Sequence, residues 1–246
     1  MPKAIVTGHT RGLGAAIAEA LLARGWAVLG LARTAHPDLG ARYPGTFSQV
    51  SIDLADSEAL AAWLGQHPLE RFFADADAGA LVNNAGLLEP IGPLGDQGSA
   101  AIARAVTANV AAPLILGDAF VAATRPLADR RILHVSSGAG RSAYPGWSVY
   151  CATKAALDHH ARAVALEQIA GLRIVSLAPG VIDTGMQDQI RAVAAERFPL
   201  RERFVALKRD GLLVEPADAA RRLVMHLLDA AYGSVTIADL RELPAG

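Results

Sequence analysis

Short runs of apolar residues alternate along the chain with longer segments whose apolar residues recur at helical spacing. The short runs predict about seven strands, at Lys3–Thr7, Trp26–Ala32, Thr46–Asp53, Ala80–Asn83, Arg131–Ser136, Leu172–Ala178 and Ser234–Ala238. The longer segments predict helices at Gly12–Arg24, Asp56–Gln66, 99–123, Ser148–Ala170 and Pro216–Ala230. We therefore expect an α/β protein, a doubly wound parallel sheet in a single domain spanning residues 1–246.

Two features interrupt this alternation. The polar stretch Gln187–Asp210 is rich in arginine and lysine, and we interpret it as an insertion outside the sheet. Residues 185–215 then form either a mobile lid over a site or a pair of solvated surface helices. Pro113 has no N–H to donate, so it is expected to bend or interrupt the helix at 99–123.

Composition narrows the class of protein. The chain has 246 residues, of which 52% are hydrophobic and 19% charged, with a formal net charge of −1. Low charge and high apolar content argue against a disordered chain, and no basic stripe indicates a nucleic-acid-binding protein. The single cysteine, Cys151, excludes an intramolecular disulfide and a multi-cysteine zinc site.

The sequence also bears on location and metal binding. We find no secretory signal pattern and no run of about 18 uncharged apolar residues. The adjacent His159 and His160 cannot share a helix face as a metal-binding pair spaced four residues apart does. We therefore expect a cytoplasmic protein with no membrane partner and no metal.

The first predicted strand runs into a glycine-rich turn, Thr7-Gly8-His9-Thr10-Arg11-Gly12-Leu13-Gly14, which opens the first helix. Glycines allow a sharp turn and a close approach of backbone N–H groups to a phosphate, and the helix N-terminus adds unpaired donors. This pattern predicts a dinucleotide site at the carboxyl edge of the sheet. A tight turn that binds no ligand is the alternative at this point.

The end of the second predicted strand bears on the choice of dinucleotide. An Asp or Glu there hydrogen-bonds the ribose of NAD, whereas an Arg accommodates the 2′-phosphate of NADP. This chain has Ala32-Arg33 and no acid before Asp38, and Arg11 can face the same phosphate. The pattern favours NADP(H), and the alternative is that both arginines are solvated surface residues.

Tyr150 and Lys154 lie four residues apart at the start of a predicted helix, which places both side chains on one face. A free tyrosine has a pKa of about 10, and a neighbouring ammonium lowers that value by favouring the phenolate. The pair is therefore a candidate general acid and base. Ser137 follows the fifth predicted strand and Asn83 ends the fourth, so both are expected at the same edge of the sheet.

The motifs TGHTRGLG, NNAG, Asn109, Ser137, YCATK and PGVIDT occur in this order. Over roughly residues 3–186 they resemble the short-chain dehydrogenase/reductase family. The segments WSVYCATKAALD and LAPGVIDTGMQ are further similar to its sepiapterin reductase and benzil reductase branch. The resemblance implies a Rossmann-type fold, an NADP(H) cofactor and hydride transfer at a carbonyl carbon.

The resemblance also implies roles for individual residues. Tyr150 would donate a proton to the carbonyl oxygen, and Ser137 would orient and polarise that oxygen. Lys154 would lower the pKa of Tyr150 and bind the nicotinamide ribose, while Asn109 would hold a water that links Lys154 to solvent. The other cofactor contacts would be Gly8, Thr10, Arg11, Gly12, Leu13, Gly14, Ala32, Arg33, Asp53, Leu54, Asn83, Ala85, Gly86, Pro179, Gly180, Ile182 and Thr184.

Some positions depart from the family pattern or are open to two interpretations. His9 stands where the family usually has a small residue. In sepiapterin reductases an acidic residue near the C-terminus holds the pterin; Asp239 is the nearest candidate, but we expect it to be a surface carboxylate. Tyr144, Trp147 and Met186 either line a hydrophobic substrate pocket or serve ordinary packing.

The leading hypothesis is an NADPH-dependent reductase of a ketone or diketone, on a pterin side chain or an aromatic α-dicarbonyl. An oxidative alcohol dehydrogenase and a non-catalytic NADP-binding sensor are the alternatives. The resemblance further suggests a homodimer or homotetramer joined through the helices at 99–123 and 148–170. Arg141 is expected at the surface rather than against an anionic substrate.

Overall fold

The structure, a computed structural model, describes residues 1–243. Within this range seven parallel strands form one sheet in the order β3-β2-β1-β4-β5-β6-β7. The strands are β1 (Lys3–Thr7), β2 (Ala27–Ala32), β3 (Phe47–Ser51), β4 (Gly79–Asn83), β5 (Arg130–Val135), β6 (Leu172–Ala178) and β7 (Ile237–Asp239). The predicted doubly wound parallel sheet is confirmed, with β7 beginning later than the sequence pattern indicates.

The helices cover both faces of this sheet. They are α1 (Gly12–Leu22), α2 (Leu39–Arg42), α3 (Ser57–Leu64), α4 (Pro68–Phe73), α5 (Ser99–Val106), α6 (Ala112–Ala123), α7 (Ser148–Leu166), α8 (Gly185–Ala192), α9 (Arg201–Arg209) and α10 (Pro216–Leu228). The sequence pattern did not predict the short helices α2 and α4, because a helix of one or two turns shows too little of the 3.6-residue period.

Alternate residues of a strand face opposite helical layers. In β1, Ala4 and Val6 lie in the apolar cluster formed with α1 and α10, whereas Ile5 lies in the cluster formed with α6. Leu116 and Phe120 of α6 are completely buried in that second cluster. Both faces of the sheet are therefore covered, which explains why its strands read as nearly continuous apolar runs.

The strand order creates a crevice at the carboxyl ends of β1 and β4. β1 pairs with β2 on one side and with β4 on the other, so the connections from these strands run in opposite directions. In open α/β sheets, ligands bind where the connections diverge in this way. The glycine-rich turn after β1 and the NNAG segment at the end of β4 both open into this crevice.

The helical segment Ser99–Ala123 is continuous, but it contains a π-helical turn at Thr107–Ala111. There the N–H of Ala112 bonds the carbonyl of Thr107, five residues back. The helix is thus not interrupted at Pro113. Pro113 has no N–H to donate to the carbonyl four residues before it, and the wider π-helical turn accommodates the absence of that hydrogen bond. By length and composition this segment could cross a membrane, yet its inner face packs on the sheet.

The polar insertion lies outside the sheet and forms α8 and α9. Its inner side is apolar: Ile190, Phe198 and Phe204 are buried against Trp147 and its neighbours. The two surface helices are therefore amphipathic, and these three side chains pack over the region that contains Tyr150. Whether the segment moves as a lid remains a prediction.

Candidate active site

The glycine-rich turn is shaped to receive an anionic group. Gly8 and Gly12 have φ values of 70° and 55°, which favour glycine. A Cβ on Gly14 would lie 2.1 Å from the carbonyl oxygen of Gly8, so α1 can begin this close to β1 only without a side chain there. Within the described residues, no side chain caps the N-terminus of α1 at Arg11. The unpaired N–H groups of the first helical turn therefore fit a pyrophosphate.

The predicted residues of this turn differ in exposure. Arg11 is exposed, Thr10 is half-buried, and Leu13 and Gly14 are buried. His9 lies away from the crevice: its Nε2 is 2.8 Å from Gln49 Oε1, and a Cβ on Gly30 would meet its ring at 2.5 Å. The glycine in β2 thus makes room for the imidazole, and His9 is a packing residue.

Asn84, whose role the sequence left unassigned, braces the turn against β4. Its Nδ2 donates to the carbonyl oxygen of Thr7 at 3.0 Å, and the Thr7 hydroxyl accepts from the N–H groups of Asn84 and Ala85 at 2.9 Å each. The Asn83 side chain points elsewhere, with Nδ2 3.2 Å from His134 Nδ1. The expected contact of Asn83 with adenine is therefore limited to its backbone, because successive side chains of a strand point to opposite faces.

The adenosine end of the predicted site carries both signs of charge. Arg33 is exposed after β2, while Ala32 and Leu54 are buried. Asp53 accepts from the N–H of Ala55 and, at 2.8 Å, from Arg104 Nη2. Partial burial raises the pKa of Asp53, but those two hydrogen bonds and the nearby charge of Arg33 outweigh it and lower the pKa. Arg33 and Arg104 thus hold the Asp53 carboxylate in its charged form.

Tyr150 and Lys154 project from one buried face of α7, as predicted. Burial raises the pKa of Tyr150 to about 12, although the facing Ser137 side chain opposes the increase. The expected lowering of this pKa by Lys154 stays a prediction. The ammonium donates to the carbonyl oxygen of Val135 at 2.8 Å and lies 5.7 Å from the centre of the Tyr150 ring.

Asn109 lies in the π-helical turn and connects three segments. Its Oδ1 accepts from the N–H of Leu87 and its Nδ2 donates to the carbonyl of the same residue, both at 2.7 Å. Nδ2 also lies 3.2 Å from Thr153 Oγ1 on α7. A Cβ on Gly86 would be 3.5 Å from Asn109 Oδ1 and 3.6 Å from Lys154 Nζ, so the predicted residues meet around Gly86.

The segment after β6 closes the crevice from the other side. A Cβ on Gly12 would lie 3.1 Å from Thr184 Cγ2, which places this threonine beside the glycine-rich turn. Pro179 and Gly180 are half-buried, and Gly180 has a φ of 86°. Ile182 is 7% exposed with its side chain in the core cluster, so only its backbone can reach a nicotinamide.

An aromatic wall lies next to the Tyr150 ring. We define it as Trp147, Phe198 and Phe204: the Trp147 ring stacks on Phe198 at 4.5 Å and lies 5.3 Å from Phe204 and 5.5 Å from Tyr150. Sequence reasoning missed both phenylalanines, because nothing in the polar insertion indicates which side faces inward. The predicted residues Tyr144 and Met186 pack against this wall and are partly buried.

Two charged residues near β7 differ in how they compare with expectation. Asp239 is 6% exposed, and both of its oxygens accept from Arg241, at 2.9 and 2.6 Å, so the expected surface carboxylate is a buried ion-pair partner. Arg141 is exposed, as expected, and its guanidinium donates to Asp158 and to the carbonyl of Ala238. The expectation for Asp239 was wrong because the pairing of β7 with β6 buries it.

Comparisons with known proteins agree with this arrangement. A family model described as short chain dehydrogenase matches residues 2–195. The chain is 35% identical to a benzil reductase ((S)-benzoin forming) of Bacillus cereus, over 89% of this chain and 91% of the relative. It is 30% identical to a sepiapterin reductase of Meriones unguiculatus, over 96% of this chain and 94% of the relative. A solved short-chain dehydrogenase/reductase from Burkholderia vietnamiensis is 48% identical, covers 99% of this chain and 98% of its own, and gives a TM-score of 0.72.

Proposed function

The chain belongs to the short-chain dehydrogenase/reductase family, and from that premise we propose that it is an NADPH-dependent reductase of aromatic α-diketones and related ketones. Family membership makes it a carbonyl-reducing oxidoreductase with a nicotinamide cofactor and a small-molecule substrate. The finer proposal rests on the meeting of Ser137, Tyr150 and Lys154 beside the aromatic wall.

The chain's own part in the reaction is to hold the carbonyl and to supply a proton. A phenol with a pKa of about 12 stays protonated at neutral pH, so Tyr150 carries the proton that the carbonyl oxygen receives. The Ser137 hydroxyl faces Tyr150 and orients the same oxygen. The bound nicotinamide supplies the hydride. The Lys154 ammonium offsets the negative charge that remains on Tyr150 after proton transfer.

The cofactor would lie across the crevice from the glycine-rich turn to Thr184. N–H groups of the first turn of α1 bind the pyrophosphate. Exposed Arg11 and Arg33 bind the 2′-phosphate, which favours NADPH over NADH. The backbone around Asn109 and Gly86 shapes the nicotinamide end beside Lys154. No metal takes part in this proposal.

The benzil reductase relatives favour reduction over the oxidative alternative. Oxidation of an alcohol would use the same residues in reverse, with the Tyr150 phenolate as the base. The non-catalytic sensor is also disfavoured, because a protein that only binds NADP has no use for Ser137 facing a buried Tyr150 and Lys154 in an arrangement for proton transfer.

An aromatic diketone fits the substrate side better than a pterin does. Trp147, Phe198 and Phe204 form a buried aromatic cluster beside Tyr150, and an aromatic substrate that reaches Tyr150 would pack favourably beside it. The nearest candidate for holding a pterin, Asp239, already pairs with Arg241 through both oxygens. We therefore place benzil-like substrates ahead of sepiapterin.

Two structural proposals accompany this function. Residues 185–215 act as a lid within the single domain, since Phe198 and Phe204 form part of the aromatic wall.

The protein forms a homodimer or homotetramer in the cytoplasm through the helices 99–123 and 148–166, whose outer faces expose Val106 (43%) and Leu166 (83%).

The decisive experiment is a turnover assay with the purified protein. NADPH oxidation is measured with benzil, with sepiapterin and with small aliphatic diketones, and is repeated with NADH. We expect turnover with benzil and NADPH, and a loss of about a hundredfold or more in Tyr150→Phe with NADPH binding retained. Absence of turnover across the panel, or full activity in Tyr150→Phe, refutes the proposal.

A further inference from the structure

A carboxylate lies buried on the same helix face as the proposed catalytic pair. Asp158 follows Lys154 by one further helical step, so Tyr150, Lys154 and Asp158 project from one side of α7. Asp158 is 2% exposed. A buried charge costs free energy unless it is paired and hydrogen-bonded. The proposed proton transfer does not use Asp158, so its partners indicate its role.

Asp158 joins α7 to the strands beside it. Its Oδ1 accepts from Ser136 Oγ at 2.7 Å and from Ser176 Oγ at 2.6 Å. Its Oδ2 accepts from Arg141 Nε at 3.1 Å, and Arg141 Nη2 donates to the carbonyl of Ala238 at 2.9 Å. Ser136 follows β5, Ser176 lies in β6 and Ala238 lies in β7. One carboxylate therefore ties the helix to three neighbouring strands.

The atoms next to these partners belong to the proposed site. Ser136 directly precedes Ser137, and Val135 accepts the hydrogen bond of Lys154. A Cβ on Gly140 would lie 3.1 Å from Asp158 Oδ2 and 3.0 Å from the carbonyl carbon of Lys154, so the turn after Ser137 is pressed against α7. The spacing between Ser137 and the catalytic face of α7 thus depends on the bonds of Asp158.

The charges around Lys154 leave Asp158 as its negative neighbour. On α7, Tyr150 is neutral, because burial raises its pKa to about 12. From β5, His134 is also neutral, because burial lowers its pKa to about 3. Burial lowers the pKa of Lys154 to about 8, and the charge of Asp158 opposes that decrease. Arg141 contacts Asp158 from the far side and neutralises part of its charge.

We propose that Asp158 is a positioning residue for the reaction. It holds the strand end that carries Ser137 against the helix that carries Tyr150 and Lys154, and its negative charge supports the Lys154 ammonium. The residue contacts neither substrate nor cofactor and acts through its neighbours. This inference rests on the proposed function, in which those three neighbours carry out proton transfer.

The test separates charge from shape. Asp158→Asn keeps the size of the side chain and an oxygen acceptor for the serines, but removes the charge. Ser176→Ala removes one hydrogen bond and leaves the charge in place. Asp129→Asn is the matched control, because Asp129 is a half-buried carboxylate held by Arg131 and Arg173 just before β5, at the opposite edge of the sheet.

The first measurement is steady-state turnover with benzil and NADPH across pH. In Asp158→Asn we expect kcat to fall about tenfold through misplacement of the proton donor, with NADPH affinity retained. The high-pH decline of the activity profile (its alkaline limb) should move to lower pH by about one unit in this variant. The reason is that the Asp158 carboxylate stabilises the charged form of the Lys154 ammonium, and the variant lacks that charge. Asp129→Asn should keep the limb of the parent, and Ser176→Ala should lower kcat without moving the limb.

The second measurement does not need turnover. The lysines of the chain are Lys3, Lys154 and Lys208, so isotope-labelled lysine gives an NMR titration that is simple to assign. We expect the midpoint of Lys154 to fall in Asp158→Asn and to stay unchanged in Asp129→Asn. An unchanged Lys154 midpoint, or a kcat no lower than in Asp129→Asn, overturns the proposal. A parent protein without turnover refutes the proposed function instead, while the titration still decides the role of Asp158.

Discussion

Lys154 Nζ donates to the carbonyl oxygen of Val135 at 2.8 Å, while the Tyr150 ring centre lies 5.7 Å from the same nitrogen. The ammonium is thus anchored to the strand end rather than to the phenol. Burial then acts on the two groups in opposite directions, raising the pKa of Tyr150 to about 12 and lowering that of Lys154 to about 8. Both shifts favour the neutral form of the side chain.

These values predict how activity depends on pH. The reaction requires protonated Tyr150 and charged Lys154, so kcat/KM for the diketone should be level near neutral pH and decline above about pH 8. Lys154→Arg should abolish the decline, because a guanidinium stays charged. A profile measured in constant-ionic-strength buffers checks this. A decline in Lys154→Arg at the same pH as in the parent would contradict the assignment to Lys154.

The buried Lys154 ammonium is expected to lower the free energy of unfolding, although the reaction needs its charge. Its pKa of about 8 in the folded protein lies below the ordinary lysine value of 10.5, so the free-energy cost is full below pH 8 and disappears as pH rises toward 10.5. At 1.36 kcal/mol per unit, Lys154→Met should raise the free energy of unfolding by up to about 3 kcal/mol at neutral pH. Urea unfolding at several pH values measures this. Lys208→Met, at an exposed position, serves as the control and should show no such gain.

The preference for NADPH should depend on Arg33. Removing a charged donor to a phosphate costs about 1.5–3 kcal/mol, so Arg33→Ala should weaken NADPH binding roughly tenfold to a hundredfold. Binding of NADH, which lacks the 2′-phosphate, should change little. Fluorescence titration with both nucleotides gives the comparison, and Arg24→Ala, another exposed arginine away from the crevice, is the control. Equal losses for both nucleotides would remove Arg33 from the phosphate site.

The aromatic wall should select for aryl substrates. Phe198 is completely buried and stacks on Trp147, so Phe198→Ala removes the packing that holds the Trp147 ring beside Tyr150. We expect KM for benzil to rise about tenfold, and KM for a small aliphatic diketone to change much less. Phe73→Ala, in the aromatic pair with Phe120 on the other side of the molecule, controls for lost stability. A similar change for both substrates would mean that the wall does not contact the substrate.

Much of the fold was predictable, because its signals are local. The run Lys3–Thr7, the turn from Gly8 to Gly14 and the run Leu172–Ala178 each carry their periodicity or glycine spacing within a few residues. The spacing of Tyr150 and Lys154 likewise places both on one face of α7 before any packing is known. The π-helical turn at Thr107–Ala111 was harder to predict, because Pro113 indicated an irregularity in the helix but not which kind.

The site was only partly predictable, because its remaining contacts join distant segments. The bonds of Asp158 to Ser136 and Ser176 form only when α7 packs against β5 and β6, and Asp239 becomes buried only when β7 pairs with β6. The burial of Phe198 against Trp147 likewise depends on how the insertion folds back. Sequence patterns report the periodicity of a segment, not the identity of its neighbours.

By itself the sequence determined the parallel α/β sheet, the glycine-rich turn and the helix face shared by Tyr150 and Lys154, since these follow from local periodicity and backbone sterics. Only the tertiary structure decided the electrostatics of that face. It removed Tyr150 and Lys154 from water, directed the ammonium to Val135 and placed the Asp158 carboxylate behind it. Desolvation and charge proximity are properties of the packed chain, so the protonation states on which the chemistry depends were settled there.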